Sequence, residues 1–293
     1  MFKGSIVALV TPFKKDGSVD EQGLRGLVEF HIKNGTDGIV PCGTTGESAT
    51  LNYEEHERVI EVCIEASRGR IPVIAGTGSN STQEAIDMSL PAKKAGADGL
   101  LLVSPYYNKP TQKGLYLHFK AIAESVGLPI ILYNIASRTA VNIEPETVAR
   151  LSRDCKNIVA VKEASGSLDQ MSKIRSLCAP EFTLLSGDDS LTLPVMAIGG
   201  EGVISVAANI VPADVKALVS AFAAGDTAGA RQYHYKLLGL IKALFIETNP
   251  IPVKTAMGLL GMCEPSLRLP MCPITEENLG KLKAGLKDYG LLK

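Results

Sequence analysis

The chain has 293 residues, 45% of them hydrophobic, with 30 basic against 31 acidic side chains. That supplies a large core in one domain or two, while the even charge, without a basic stripe, argues against nucleic acid as a main partner. No apolar run approaches the roughly 18 residues of a membrane-spanning helix, and Met1–Ser5 lacks a signal-peptide layout.

The six cysteines, at 42, 63, 155, 178, 263 and 272, form no C-x-x-C pair and read as reduced thiols of a cytoplasmic protein. The histidines, at 31, 56, 118 and 234, are isolated and lack metal-ligand spacing, so no metal or cofactor is expected.

Apolar strand-like runs begin near Ile6, Gly38, Pro72, Gly99, Pro129, Ile158, Phe182 and Gly202. They recur at about the 30 residues of one βα unit. Between them lie helix signals. Ser18 and Glu21 have capping-box spacing, Leu24, Leu27, Val28 and Ile32 share a face, and Gly35 can close that helix. Asn52 and Glu55 open a second helix, with Val59, Ile60, Cys63 and Ile64 on one side and an end near Gly69. Pro91 should kink its helix, and Pro145 suits a first turn ahead of Val148 and Leu151. After Val211-Pro212 the pattern is helical near 212–224, 227–246, 251–262 and 275–289.

Eight consecutive βα units with strands apolar on both faces predict an α/β fold, a closed parallel (β/α)8 TIM barrel over residues 1–224 with a C-terminal helical extension over 225–293. The alternative, an open doubly wound sheet, would want a G-x-G-x-x-G turn after its first strand; here that strand runs into Thr11-Pro12-Phe13.

Barrel chemistry sits at the carboxyl ends of the strands. Those ends carry Thr11, Gly43–Ser48, Gly76–Asn80, Ser104–Asn108, Tyr133–Thr139, Lys162, Gly187–Asp189 and Ser205. Lys162 ends the apolar run from Ile158. A buried amine is costly to keep charged, and a neutral amine is a nucleophile suited to Schiff-base chemistry. The plainer alternative is a lysine with its ammonium in water beside Glu163. Gly43-Thr44-Thr45-Gly46, near a helix start, is either a cradle for a carboxylate or an ordinary tight turn. Tyr133 can relay protons or simply fill the barrel end. Arg138 is a candidate fork for a second carboxylate or a solvated loop arginine. Gly76-Thr77-Gly78 reads as a turn, and Asp188-Asp189 as a loop or helix-cap pair rather than a metal pair.

Taken together, Gly43-Thr-Thr-Gly-Glu47, Ser104-Pro-Tyr-Tyr-Asn108, Tyr133-Asn134, Ser137-Arg138-Thr139, Val161-Lys162-Glu163, Ser186-Gly187-Asp188-Asp189 and Asn249-Pro-Ile-Pro-Val-Lys254 resemble the dihydrodipicolinate synthase and N-acetylneuraminate lyase superfamily over essentially the whole chain. The resemblance implies a barrel enzyme, with no cofactor, that binds pyruvate as a Schiff base on Lys162. It implies that Thr44 and Thr45 hold the pyruvate carboxylate, and that Tyr133 relays protons through Thr44 to Tyr107. The latter reaches in from a neighbouring subunit, which makes at least a dimer and commonly a homotetramer. Gly187 and the backbone of Ile204 would line the pyruvate pocket. Arg138 would bind the carboxylate of L-aspartate 4-semialdehyde, the acceptor in diaminopimelate and lysine biosynthesis.

Sialate lyases and sugar-acid aldolases of the superfamily usually lack Ser-Arg-Thr at this point. A pyruvate aldolase acting on sugar acids is therefore the second hypothesis, and a catalytically silent barrel binding a small acid as a regulator the third. Intact Lys162, Tyr133, Thr44 and Tyr107 speak against the third. Ala136 stands where the family usually has proline, which should loosen the Arg138 loop. Ser48, Ala49, His56, Asn80, Glu84 and Tyr106 match a site between subunits at which L-lysine inhibits some synthases; Tyr53 stands where the lysine-sensitive type often has histidine.

Overall fold

The computed structural model describes residues 2–293. Its eight strands are β1 (Gly4–Ala8), β2 (Gly38–Val40), β3 (Ile74–Gly76), β4 (Gly99–Val103), β5 (Ile130–Asn134), β6 (Ile158–Glu163), β7 (Thr183–Ser186) and β8 (Gly202–Ser205). All pair in parallel, β8 returning to β1. A parallel bridge from Ile39 to Val73 joins β2 to β3, so the sheet closes on itself. The eight strand starts anticipated from the sequence agree with the observed ones to within two residues.

The first eight helices are α1 (Glu21–Lys33), α2 (Tyr53–Ser67), α3 (Thr82–Ala95), α4 (Gln112–Val126), the single turn α5 (Ala136–Thr139), α6 (Pro145–Asp154), α7 (Leu168–Leu177) and α8 (Thr192–Ala197). Then follow α9 (Pro212–Ala223), α10 (Thr227–Leu244), α11 (Ile251–Leu259) and α12 (Glu276–Asp288). The α9 helix packs on β1 and α10, and α12 packs on α10 and α11.

Local chemistry explains most helix ends. Asn52 and Glu55 form the expected reciprocal cap of α2, whose far end turns left-handed at Arg68 and Gly69. Pro145 occupies the first turn of α6. At α1 the cap is Asp20, not Ser18: Asp20 accepts from Gly23 N at 3.0 Å. Ser18 is held in the preceding turn, where its hydroxyl donates to Asp16 at 2.7 Å and Val19 bridges back to Phe13. The α3 helix continues through Pro91 without ending. The carbonyl that Pro91 leaves without a donor belongs to exposed Asp87, where water can satisfy it.

Successive side chains on a strand face opposite ways. Ile6, Val40, Leu101, Ile131, Leu185 and Ile204 pack together inside the barrel. Their neighbours Val7, Ile39, Leu100, Leu132 and Leu184 join the separate cluster between barrel and helices. Each fully buried aliphatic contributes about 1.5–3 kcal/mol of transfer free energy. Phe2 fills the amino-terminal end: its ring would lie 2.6 Å from a Cβ placed on Gly99. Phe2 thus packs with the interior cluster at the amino-terminal end of the barrel, opposite the carboxyl ends of the strands.

Candidate active site

The β5–β6 register sets Tyr133 beside Lys162. Tyr133 packs with the interior cluster, which puts both side chains inside the barrel. Lys162 is 6% exposed, and its Nζ lies 4.1 Å from the centre of the Tyr133 ring. Among the described residues it makes no ion pair. The alternative of a solvated ammonium beside Glu163 is thereby overturned. Glu163, one residue on, faces outward. It is fully buried and accepts from Asn134 Nδ2 at 3.0 and 3.2 Å, Ser165 N at 2.7 Å and Gln170 Nε2 at 2.8 Å. Gly187 sits against the lysine stem: a Cβ there would lie 2.7 Å from Ala164 Cβ and 3.2 Å from Lys162 Cε. Ile204, 1% exposed, belongs to the same interior.

The segment after β2 closes as a tight turn. Gly46 N and Ser48 N donate to Gly43 O, and Glu47 N to Thr44 O. The next element is a 3₁₀ turn, Ser48–Thr50, and α2 begins only at Tyr53. The α2 start is close by, as expected, but the 3₁₀ turn separates it from the loop, and three of the loop's amides are used internally. Among the described residues, the N–H groups of Thr44 and Thr45 find no acceptor in the chain. Those amides and the two hydroxyls remain to meet an anion.

The turn is held from three sides. Thr11 donates to Gly46 O at 2.7 Å. Asn249 Nδ2 donates to Thr45 Oγ1 at 3.0 Å. Glu47, left-handed at φ 53°, pairs with Lys254 at 2.7 Å and accepts from Arg268 N at 3.1 Å. Both side chains of the Glu47–Lys254 pair are buried, and burial pulls the Lys254 ammonium below its ordinary pKa while Glu47 opposes the shift. Leaving one partner of such a pair alone costs about 3–5 kcal/mol.

Arg138 stands at the mouth on α5, where its Nη2 donates to Asn249 O at 3.1 Å. The Arg138 loop, expected to be loosened by Ala136, forms an ordered turn here. Ala136 is the first residue of a closed helical turn, the position where proline is also at home, and Ala140 N donates to Ala136 O at 2.9 Å. Asp188 caps the next turn by accepting from Ser190 N. Asp189 is buried and accepts from Val206 N at 2.9 Å, Ala207 N at 3.1 Å and the Ser205 hydroxyl, so both have the cap-like role anticipated for them. The Gly76–Gly78 stretch marks close backbone approach: a Cβ on Gly78 would meet Val103 N at 2.3 Å.

A cavity of about 660 Å³ opens at this mouth. Its lining includes Thr44, Arg138 and Asn249 together with Ser48, Ala49, His56, Glu84 and Tyr106. A smaller space of about 40 Å³ shares Thr44 with it and reaches down to Tyr133. Asn80 is not on the large cavity; its main-chain carbonyl accepts from Asn108 Nδ2 at 2.8 Å. His56 bonds Gly76 O at 2.9 Å, and burial lowers its pKa. The Glu84 carboxylate is held below its ordinary pKa by the hydroxyl of Ser79 and then by the phenol of Tyr53, at 2.6 and 2.9 Å. Tyr107 lies outside its own chain's pocket. It is 90% exposed with a left-handed φ of 72°.

The sequence reading gave no roles to Asn249, Lys254 or Arg268, and none to Glu47 beyond its motif. Two of these residues stand in the Asn249–Lys254 motif, but spacing alone cannot say what lies about 200 residues away in the chain and in contact.

The chain matches the model of the dihydrodipicolinate synthetase family over residues 1–289. It is 63% identical over 292 residues to the 4-hydroxy-tetrahydrodipicolinate synthase of Geotalea uraniireducens, covering 100% of each chain. The crystal structure of dihydrodipicolinate synthase from Aquifex aeolicus superposes with a TM-score of 0.97 at 56% identity, covering 99% of each chain. The chloride-inhibited enzyme from Acinetobacter baumannii complexed with pyruvate superposes with a TM-score of 0.97 at 46% identity, covering 100% of each.

Proposed function

The chain belongs to the dihydrodipicolinate synthetase family, and we propose that it acts as a 4-hydroxy-tetrahydrodipicolinate synthase, condensing pyruvate with L-aspartate 4-semialdehyde. The observation that carries this reading is the in-register pair of Lys162 and Tyr133 inside the open end of the barrel, with Arg138 held above it.

Lys162 attacks the pyruvate ketone, water leaves, and an imine forms. Thr44 and Thr45 take the pyruvate carboxylate through their amides and hydroxyls. Tyr133 moves protons between the reacting centre and Thr44, and Tyr107 of a neighbouring subunit completes the relay. Loss of a methyl proton gives the enamine, whose carbon adds to the aldehyde. The substrate amine then closes the ring on the imine carbon and frees Lys162. Gly187 and Ile204 wall the pocket, and Arg138 takes the carboxylate of the semialdehyde.

Tyr107, exposed on its own chain, supports an assembly of at least two subunits, and we read the whole as a homotetramer. We take residues 1–224 as the barrel and 225–293 as its extension. Six unpaired cysteines and the lack, among the described residues, of a helix long and apolar enough to cross a membrane support a cytoplasmic setting. L-Lysine inhibits through Ser48, Ala49, His56, Asn80, Glu84 and Tyr106, with an altered affinity because Tyr53 already engages Glu84. Steady-state assays without inhibition at millimolar lysine would exclude that site. The substrate is tested by comparing L-aspartate 4-semialdehyde with aldehydes derived from sialic or keto-sugar acids. Turnover of the sugar acids alone would assign the chain to the aldolases.

A further inference from the structure

Among the described residues, Asn249 is the one that hydrogen-bonds both Thr45 and Arg138, groups assigned above to the two carboxylates. It lies just before α11, is 6% exposed, and borders the large cavity. Its side-chain Nδ2 donates to Thr45 Oγ1 at 3.0 Å, while its main-chain carbonyl accepts from Arg138 Nη2 at 3.1 Å. The amide's other atom, Oδ1, has no partner among the described residues.

A threonine hydroxyl has one proton and two lone pairs, and it rotates to suit its neighbours. With an amide N–H donated into a lone pair of Thr45, the hydroxyl proton is left for a further acceptor. A carboxylate only accepts. The chain of donors therefore runs one way, from Asn249 N–H to Thr45 O–H to the anion. We propose that Asn249 is a positioning residue, which fixes Thr45 as a donor to the pyruvate carboxylate and ties that subsite to Arg138. The proposal rests on the assignment of Thr45 to pyruvate.

Polarity and packing make opposite forecasts for two substitutions. Asn249→Asp keeps the shape but, when ionised, demands the Thr45 proton for itself and turns a lone pair toward the substrate. Asn249→Ala removes volume but leaves the hydroxyl able to rotate toward the anion. Measured at alkaline pH, Asn249→Asp should raise KM for pyruvate by about tenfold or more, the scale of a hydrogen bond to a charged group. Asn249→Ala should raise it by about threefold. Lowering the pH restores a proton to the introduced acid, so the Asp variant alone should recover pyruvate affinity.

Thr45→Val separates the possible failures. If it leaves KM for pyruvate unchanged, the assignment of Thr45 falls. If it raises KM and Asn249→Asp raises it as much again in the Thr45→Val background, the effect is charge repulsion and the proposal falls. No added effect in that background is the expected result. A larger effect for Ala than for Asp, or an unaltered pH profile in the Asp variant, also overturns the proposal. Should the Asp variant fail to fold, the Asn249→Ala and Thr45→Val cycle decides: additive changes in KM refute the link, and non-additive ones support it.

Discussion

The ends of β5 and β6 carry two polar pairs one residue out of phase. Tyr133 and Lys162 face into the barrel, and Asn134 and Glu163 face the helices. The inner lysine is buried without an ion pair, whereas the outer carboxylate is fully buried and receives bonds from three residues. Satisfied polar groups fix structure, and a buried amine left without a partner is available for chemistry. A shift of one position along a strand therefore separates the chemistry from its support.

The largest effect should come from the inner pair. Lys162→Ala should lower kcat/KM by about a thousandfold or more, since among the described residues no other lysine borders the two cavities at the mouth and could replace it, while the melting temperature is kept. Loss of the fold together with activity would count against the contrast. At the mouth, Arg138→Ala should raise KM for the semialdehyde by about ten- to a hundredfold and leave KM for pyruvate near its original value. Equal changes in both would mean that Arg138 does not distinguish the two acids.

The outer pair should respond in stability. Glu163→Ala strands the Asn134, Ser165 and Gln170 donors and should cost about 3 kcal/mol or more in urea unfolding. Its kcat at a permissive temperature should change by less than about tenfold. A dead but stable Glu163→Ala variant would break the division between the two faces.

The smallest effect concerns acid. His31, His56 and His118 lie on α1, α2 and α4 outside the barrel, and burial lowers all three pKa values, to about 3 for His31 and about 4 for His118. Their folded values are below that of an unfolded imidazole, near 6.5. The unfolded chain therefore binds protons first. Stability is full above about pH 6.5 and falls as the pH drops toward the folded values, by up to about 1.4 kcal/mol per pH unit for each imidazole. Urea midpoints measured against pH should show this slope, and His31→Gln should reduce it by one proton.

The sequence made the barrel legible because strand and helix periods are local. Ile158–Lys162 reads as a buried strand from its residues alone, and Asn52 with Glu55 reads as a cap. Ser18 misled because Asp20 stood two residues nearer the helix and the Phe13–Val19 bridge held Ser18 elsewhere. The Lys162 reading depended on which way one side chain faces, and the Glu163 alternative fell to strand alternation. The links of Asn249 to Thr45 and of Lys254 to Glu47 join distant parts of the chain, and no spacing rule reports such contacts.

The most direct test of the account is covalent. Incubation with pyruvate, reduction with borohydride and peptide mass spectrometry should place a single pyruvyl adduct on Lys162, with none formed by Lys162→Ala. An adduct on any other lysine, or one that persists in Lys162→Ala, would contradict it.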